Sequence, residues 1–282
     1  MRLLHQIADI AGRYAAVFCD VWGVIHNGRA HFPDAAAALR GLRQAGVHVI
    51  LLTNVPKPRD PIPAQLDRLG FPRDAYDAIV TSGDAIRMEL AARAPGPMYK
   101  IGPPSDASLW QGLGLAFADL DRARFIGISG PNDYRETPDA YATLLREAHA
   151  RDLEMLCANP DIVVRVGADL IWCAGAIARD YAAMGGRVVM AGKPHAPIYA
   201  LAYKELTALH GSEVARSNIL CIGDGVGTDL HGACAQGLDC VFIASGMHGE
   251  ALFSDGGLDL AKAEAALAAE QVSARYVMAT LR

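Results

Sequence analysis

Six polar residues follow short apolar runs of the chain and together could handle a phosphate group. They are Asp20, Thr53, Asn54, Lys193, Asp224 and Asp229. Carboxylates are the hard oxygen ligands that Mg²⁺ prefers, while a hydroxyl, an amide and an ammonium group can bind phosphate oxygens. A carboxylate that is ionised at neutral pH can also attack phosphorus and form an acyl phosphate. Each residue alone is equally typical of a turn or a helix cap, so the prediction depends on their occurring together and in this order.

The elements that carry these residues alternate between strands and helices. Buried strands are predicted at Ala15–Cys19, Val47–Leu52, Arg187–Ala191 and Ile219–Ile222. Asp34 is the predicted N-cap of the first long helix, which ends near Gly46, and a later short helix is predicted at Asp229–Gln236. Such alternation favours an α/β fold with a doubly wound parallel sheet, in which ligands bind beyond the carboxyl ends of the strands.

The middle of the chain differs from its two ends. After Ser82-Gly83-Asp84 come the Pro- and Gly-rich segments PGP, GPPSD and GLGL, followed by further predicted strands and helices. This pattern predicts an inserted α/β domain at residues 84–185, and a core domain made of residues 1–83 and 186–282.

Composition limits the class of protein. The chain has 282 residues, of which 52% are hydrophobic and 20% charged, and its formal net charge is −5. This balance, without a basic run, argues against a nucleic-acid polymer as partner, and no apolar run approaches the roughly 18 residues that span a membrane. The six cysteines form no CxxC pair, so we expect reduced thiols and a cytoplasmic location.

Four short motifs resemble those of the haloacid dehalogenase (HAD) superfamily. They are DVWGV (20–24), LLTN (51–54), GKP (192–194) and GDGVGTD (223–229). The insertion between the second and third motifs resembles the α/β cap of subclass IIA, which holds sugar-phosphate, nucleotide and 4-nitrophenyl phosphatases. Asn159, Asp161 and the AGAIA segment that contains Gly175 resemble parts of this cap, where they would face the substrate. The resemblance implies a HAD-like Rossmannoid core and, in some relatives, a homodimer formed through the cap.

The same resemblance assigns a metal site. Asp20 would be both the nucleophile and a Mg²⁺ ligand, the backbone carbonyl of Trp22 would be a second ligand and Asp224 a third. Asp229 would orient these ligands as an outer carboxylate.

The resemblance also assigns the phosphate-binding groups. Thr53 and Asn54 would hold phosphate oxygens, and Lys193 would neutralise both the nucleophile and the transferring group. The implied activity is Mg²⁺-dependent hydrolysis of a small phosphorylated metabolite through an aspartyl phosphate. A sugar phosphate, a nucleotide, and an aryl or acyl phosphate are all open as substrates.

One position departs from the superfamily pattern. Relatives place a second aspartate two residues after the nucleophile as general acid and base, and this chain has Trp22 there. An indole N–H cannot transfer a proton near neutral pH. Either the leaving groups are good ones, or His26, His195 or a cap carboxylate such as Asp133 supplies the proton, or the chain is a non-catalytic phosphometabolite-binding or regulatory protein. The indole could stack on a substrate ring or close the wall of the site.

Overall fold

Two parallel β-sheets, one of seven strands and one of four, form the framework of the protein. The structure is a computed structural model that describes residues 1–166, 169–247, 249–254 and 256–282. The strands in these residues are β1 (Arg2–Leu3), β2 (Ala16–Cys19), β3 (His48–Thr53), β4 (Ala78–Thr81), β5 (Met98–Ile101), β6 (Phe125–Ile128), β7 (Glu154–Cys157), β8 (Val163–Val166), β9 (Asp169–Trp172), β10 (Val188–Met190), β11 (Ile219–Gly223), β12 (Asp239–Ile243), β13 (Phe253–Ser254), β14 (Gly257–Leu258) and β15 (Tyr276–Met278). The α-helices are α1 (Pro33–Gln44), α2 (Ile62–Arg68), α3 (Ser82–Ala92), α4 (Ala142–Ala150), α5 (Ala174–Ala183), α6 (Ala196–His210), α7 (His231–Gln236) and α8 (Leu260–Ala269).

The larger sheet has the strand order β1-β15-β12-β11-β2-β3-β4, and all its pairings are parallel. Its side chains alternate between two apolar clusters, with Phe18 of β2 on one side and Val17 on the other. Ile198 of α6 packs in the first cluster and Leu39 of α1 in the second. Helices therefore cover both faces, which confirms the predicted doubly wound α/β core.

The smaller sheet belongs to the inserted segment, which we call the cap, and has the order β10-β7-β6-β5. Our assignment of the strand at Arg187–Ala191 to the core was wrong. Its observed form, β10, pairs in parallel with β7, with Val188 opposite Met155. A short apolar strand is equally suited to either sheet, so the sequence does not specify its partner. The chain thus leaves the cap sheet after Met190, past the predicted boundary at residue 186.

The cap packs on the core through a continuous apolar cluster. Phe18 and Ile50 of the larger sheet, Leu90 of α3, and Phe125 and Leu156 of the smaller sheet all belong to it. An antiparallel hairpin, β8–β9, also lies in the cap and was not predicted from the sequence. The cap therefore consists of an α/β layer anchored to the core and a separate two-stranded hairpin.

Two predicted helix starts differ from the structure. Asp34 is not an N-cap: α1 begins at Pro33, Phe32 is the N-cap residue, and no side chain caps it by a hydrogen bond. The Asp34 carboxylate instead lies in the first turn, where it complements the positive end of the helix dipole. The helix predicted from Asp229 begins earlier, with a π-helical turn at Val226–Leu230 that leads into α7.

Candidate active site

The polar residues that follow the strands of the larger sheet meet at one edge, as predicted. Asp20 follows β2, Thr53 ends β3 and Asp224 follows β11; all three are buried and line a cavity of about 350 Å³. Lys193 and Asp229 line the same cavity. Parallel strands that share one sheet direct their carboxyl ends to a common edge, which is why residues so distant in sequence come together.

The ammonium group of Lys193 bridges two carboxylates. Its Nζ donates to Oδ1 of Asp20 at 2.5 Å and to Oδ1 of Asp229 at 2.8 Å, and its side chain is 3% exposed. Burial favours the neutral amine, but Asp20 and Asp229 outweigh it, so the pKa of Lys193 lies above its usual value. The lysine therefore remains charged and fixes the position of the Asp20 carboxylate.

Three buried carboxylates form a cluster that fits a divalent cation. One oxygen each of Asp20, Asp224 and Asp229 lies within 4.8 Å of the others. Burial, the largest influence, raises the pKa of all three carboxyl groups, that of Asp229 to about 7. When all three carboxyl groups are ionised, the single ammonium of Lys193 leaves an excess of two negative charges, which a divalent cation would neutralise. The backbone carbonyl of Trp22, the remaining predicted ligand, lies two residues after Asp20 in the same loop.

Two glycines allow the backbone to approach Asp224. A Cβ on Gly23, whose φ is +85°, would lie 2.2 Å from Oδ2 of Asp224, and one on Gly246 would lie 1.9 Å from the same atom. The backbone N–H of Met247 donates to this oxygen at 2.6 Å. Sequence reasoning missed the contribution of Gly246, although Ser245-Gly246 directly after the end of β12 was an available signal.

Asn54 joins the core to the cap through hydrogen bonds. Its Nδ2 donates to Oδ1 of Asp161 at 2.8 Å and to the carbonyl of Lys193 at 3.0 Å, and its Oδ1 accepts from the Lys193 N–H at 2.7 Å. Both of its N–H groups thus have partners in the protein, and its expected role as a phosphate contact stays a prediction. Thr53 has a hydroxyl that accepts only a long bond from Val55 N–H, 3.3 Å, among the described residues.

The three cap residues singled out from the sequence lie together. Oδ1 of Asn159 accepts a hydrogen bond from the Asp161 N–H at 3.0 Å. A Cβ on Gly175 would lie 2.1 Å from the carbonyl oxygen of Pro160, so glycine lets α5 pack on this segment. Asn159 and Gly175 therefore hold the backbone of Asp161, whose side chain lines the cavity.

Trp22 connects the loop after β2 to the cap hairpin. Its Nε1 donates to the carbonyl of Arg165 in β8 at 2.7 Å, and its ring meets that of His26 edge-on, with 4.9 Å between centroids. A Cβ on Gly28 would lie 2.6 Å from the indole. Trp22 lines the cavity while its N–H is used by the cap, a contact between distant segments that the sequence did not indicate.

The residues suggested as alternative proton donors lie elsewhere. His26 is buried, its Nδ1 accepts from the Gly28 N–H at 3.0 Å, and burial lowers its pKa to about 4. His195 is exposed before α6. Asp133 is paired with Arg135 at 2.8 Å, and this arginine lowers its pKa to about 2. None of the three is among the described residues that line the cavity, and their role as proton donors stays a prediction.

Replacement of Trp22 by phenylalanine should loosen the hairpin. The variant keeps an aromatic ring but loses the bond to the Arg165 carbonyl, a contribution of about 0.5–1.5 kcal/mol. Amide hydrogen exchange in β8 and β9 should become about 2- to 12-fold faster, because local opening is easier by that free energy. The rate of amide hydrogen exchange in α1 serves as an internal control and should not change. Unchanged exchange in the hairpin would show that the indole N–H does not hold it.

The fold and this site define a haloacid dehalogenase-like hydrolase, and the chain belongs to that family. Residues 17–116 match the family profile described as haloacid dehalogenase-like hydrolase, and residues 190–274 match the HAD-hydrolase-like profile. A crystal structure of a haloacid dehalogenase-like hydrolase from Brucella suis 1330 is 41% identical, has a TM-score of 0.89, and covers 99% of this chain and 100% of its own. The resemblance stated from the motifs, including the cap of subclass IIA, is confirmed.

More distant solved structures share the fold alone. A possible sugar phosphatase from Cytophaga hutchinsonii is 17% identical with a TM-score of 0.81, and the alignment covers 99% of this chain and 98% of that one. A p-nitrophenyl phosphatase from Archaeoglobus fulgidus is 18% identical with a TM-score of 0.69, with 95% and 96% covered. A search of the curated proteins found no match. Across the described ranges, every helix is too short or too polar to cross a membrane.

Proposed function

We propose that this protein is a Mg²⁺-dependent phosphohydrolase that acts on a small phosphorylated metabolite, with Asp20 as the nucleophile. The observation that carries the proposal is the bridge from Lys193 to Asp20 and Asp229 inside a cluster of buried carboxylates. A lysine that holds a carboxylate at the base of a cavity favours the charged form of that group and orients it. This arrangement favours attack on phosphorus over the alternative of a non-catalytic binding protein.

The reaction proceeds in two displacements at phosphorus. An oxygen of Asp20 forms a bond to phosphorus while the bond to the leaving oxygen breaks, which gives an aspartyl phosphate. Water then attacks phosphorus, releases inorganic phosphate and regenerates Asp20. Lys193 offsets the negative charge near the nucleophile throughout. Mg²⁺ held by Asp20, Asp224 and the Trp22 carbonyl would add positive charge next to the transferring group.

Several observations bear on the substrate. A cavity of about 350 Å³ suits a small molecule, and the names of two structural relatives, a possible sugar phosphatase and a p-nitrophenyl phosphatase, support a phosphate ester. Sugar phosphates, nucleotides, and aryl or acyl phosphates stay open. The six cysteines are all free thiols, which favours the reducing environment of the cytoplasm as the location.

Wild-type protein should hydrolyse 4-nitrophenyl phosphate with Mg²⁺ and lose this activity in EDTA. Mg²⁺ with beryllium fluoride, a mimic of the transferring phosphoryl group, should also raise the Tm. At about 100 times its Kd, a ligand adds about 2.7 kcal/mol of stability, equivalent to roughly 5–10 °C for a chain of this size.

The control is the Tm shift with Mg²⁺ alone or with beryllium fluoride alone, because each fills only half of the site. A Tm shift without turnover of any phosphate ester would support the binding-protein alternative. The absence of both turnover and a shift would show that these groups do not assemble into a phosphate site.

A further inference from the structure

We propose that Asp161, which the cap supplies, is a catalytic residue that protonates the leaving group and later takes a proton from water. This inference rests on the proposed phosphohydrolase function and assigns the proton transfer that Trp22 cannot perform. It gives the cap a chemical role in addition to enclosing the substrate.

The choice of Asp161 follows from the groups that line the cavity. The carboxylates in its described wall are Asp20, Asp224, Asp229, Asp161 and Glu270. The first three form the cluster around Lys193 that fits the cation, and the fourth comes from the cap. Glu270 is exposed to solvent directly after α8. Among the described residues that line the cavity, Asp161 is thus the carboxylate that is half-buried and lies outside the cation cluster.

Asp161 is held firmly in a position suited to this task. Its Oδ1 accepts from Asn54 Nδ2 at 2.8 Å, and its N–H donates to Asn159 Oδ1 at 3.0 Å. In the part of the chain that the structure describes, its second oxygen has no hydrogen-bond partner, so that oxygen is available to a ligand in the cavity. Asn54 Nδ2 also donates to the Lys193 carbonyl at 3.0 Å, so one amide links Asp161 to the lysine that holds Asp20.

The surroundings of Asp161 favour a carboxyl group that can carry a proton. Burial, the largest influence, raises the pKa of Asp161 above its usual value, although Lys193 and the bond from Asn54 oppose the shift. A carboxyl group that stays protonated closer to neutral pH is a better general acid. The same group, once ionised, is a better base than an exposed aspartate.

Protons balance over the two steps, because Asp161 gives up one proton and later regains one. When an oxygen of Asp20 bonds to phosphorus, the bond from phosphorus to the leaving oxygen breaks, and that oxygen takes the proton of Asp161 to become an alcohol. Water then attacks the aspartyl phosphate and gives a proton to the Asp161 carboxylate. The bond between Asp20 and phosphorus breaks, phosphate leaves, and both aspartates return to their starting states.

The test compares two esters that differ in how much they need a proton. Phenyl phosphate has a poor leaving group, and 2,4-dinitrophenyl phosphate has a good one. Asp161→Asn keeps an oxygen that can accept from Asn54 but cannot transfer a proton. Its kcat/KM on phenyl phosphate should fall about 10²- to 10⁴-fold, against a loss below about tenfold on the dinitrophenyl ester. Asp119→Asn, a change at an exposed cap carboxylate outside the cavity wall, is the matched control and should affect neither.

The remaining outcomes separate this inference from the proposed function. Equal losses on both esters would overturn it, because they would show that Asp161 only holds the cap through Asn54. Unchanged rates, or wild-type turnover of the dinitrophenyl ester alone, would overturn it as well, while the phosphohydrolase proposal would stand. If wild-type protein with Mg²⁺ hydrolyses neither ester, both proposals fail.

Discussion

Replacement of Asp20 by asparagine is expected to lower kcat for 4-nitrophenyl phosphate by about ten-thousandfold or more. An amide oxygen is a very weak nucleophile, and the loss of a covalent nucleophile is among the largest single-residue effects in enzymes. The asparagine oxygen can still accept the bond from Lys193 Nζ that Asp20 accepts at 2.5 Å, so the variant should fold. Steady-state kinetics with saturating Mg²⁺ give the result directly.

The matched control for this experiment is Asp34→Asn. It makes the same chemical change at an exposed position in the first turn of α1, away from the cavity. This control should keep its activity within about twofold, as surface substitutions usually do. Undiminished turnover by Asp20→Asn would mean that the nucleophile is a different group.

Replacement of Lys193 by methionine should destabilise the metal-free protein by about 3–5 kcal/mol. Removal of one partner of a buried ion pair leaves its charges uncompensated, and here two carboxylates, Asp20 and Asp229, lose the same ammonium. Urea unfolding in EDTA measures the change. Turnover should fall about 10²- to 10³-fold as well, because the positive charge beside the transferring group is lost.

Mg²⁺ should stabilise the Lys193→Met variant more than the wild type, because the excess negative charge of the cluster is larger without the lysine. Lys262→Met is the control, since the ammonium of Lys262 is exposed and, within the described residues, donates only to the Phe253 carbonyl. Its effect should stay within about 0.5 kcal/mol. A similar small effect for Lys193→Met would contradict the bridging role.

The core and its functional edge were predictable from the sequence because the signals are local. Apolar runs such as those ending before Asp20 and Asp224 indicate buried parallel strands, and a polar residue directly after such a run is directed to the ligand edge. The order of the motifs then identified the superfamily. Element bounds moved by only a few residues, apart from the π-helical turn that precedes α7.

The features that the sequence did not reveal depend on contacts between distant segments. Asn54 donates a hydrogen bond to Asp161, which is 107 residues away in the sequence. Trp22 donates one to Arg165, which is 143 residues away. No local pattern specifies such pairs, so neither the bond from Asn54 to Asp161 nor the hairpin was predicted. The partner of β10 was missed for a related reason, since strand propensity does not encode which neighbour a strand pairs with.

The position of β10 has a consequence for exchanging caps between relatives. This strand lies in the smaller sheet, and the chain passes from Met190 to Lys193 within three residues. A chimera joined at residue 186 would separate the last strand of the transplanted cap from its sheet. Lys193 would then follow a strand that has lost its native pairing with β7. The inserted unit and the lysine should therefore be transferred together, with the downstream joint placed after Lys193. In this chain, the cap and the lysine that bridges Asp20 and Asp229 are therefore one continuous unit.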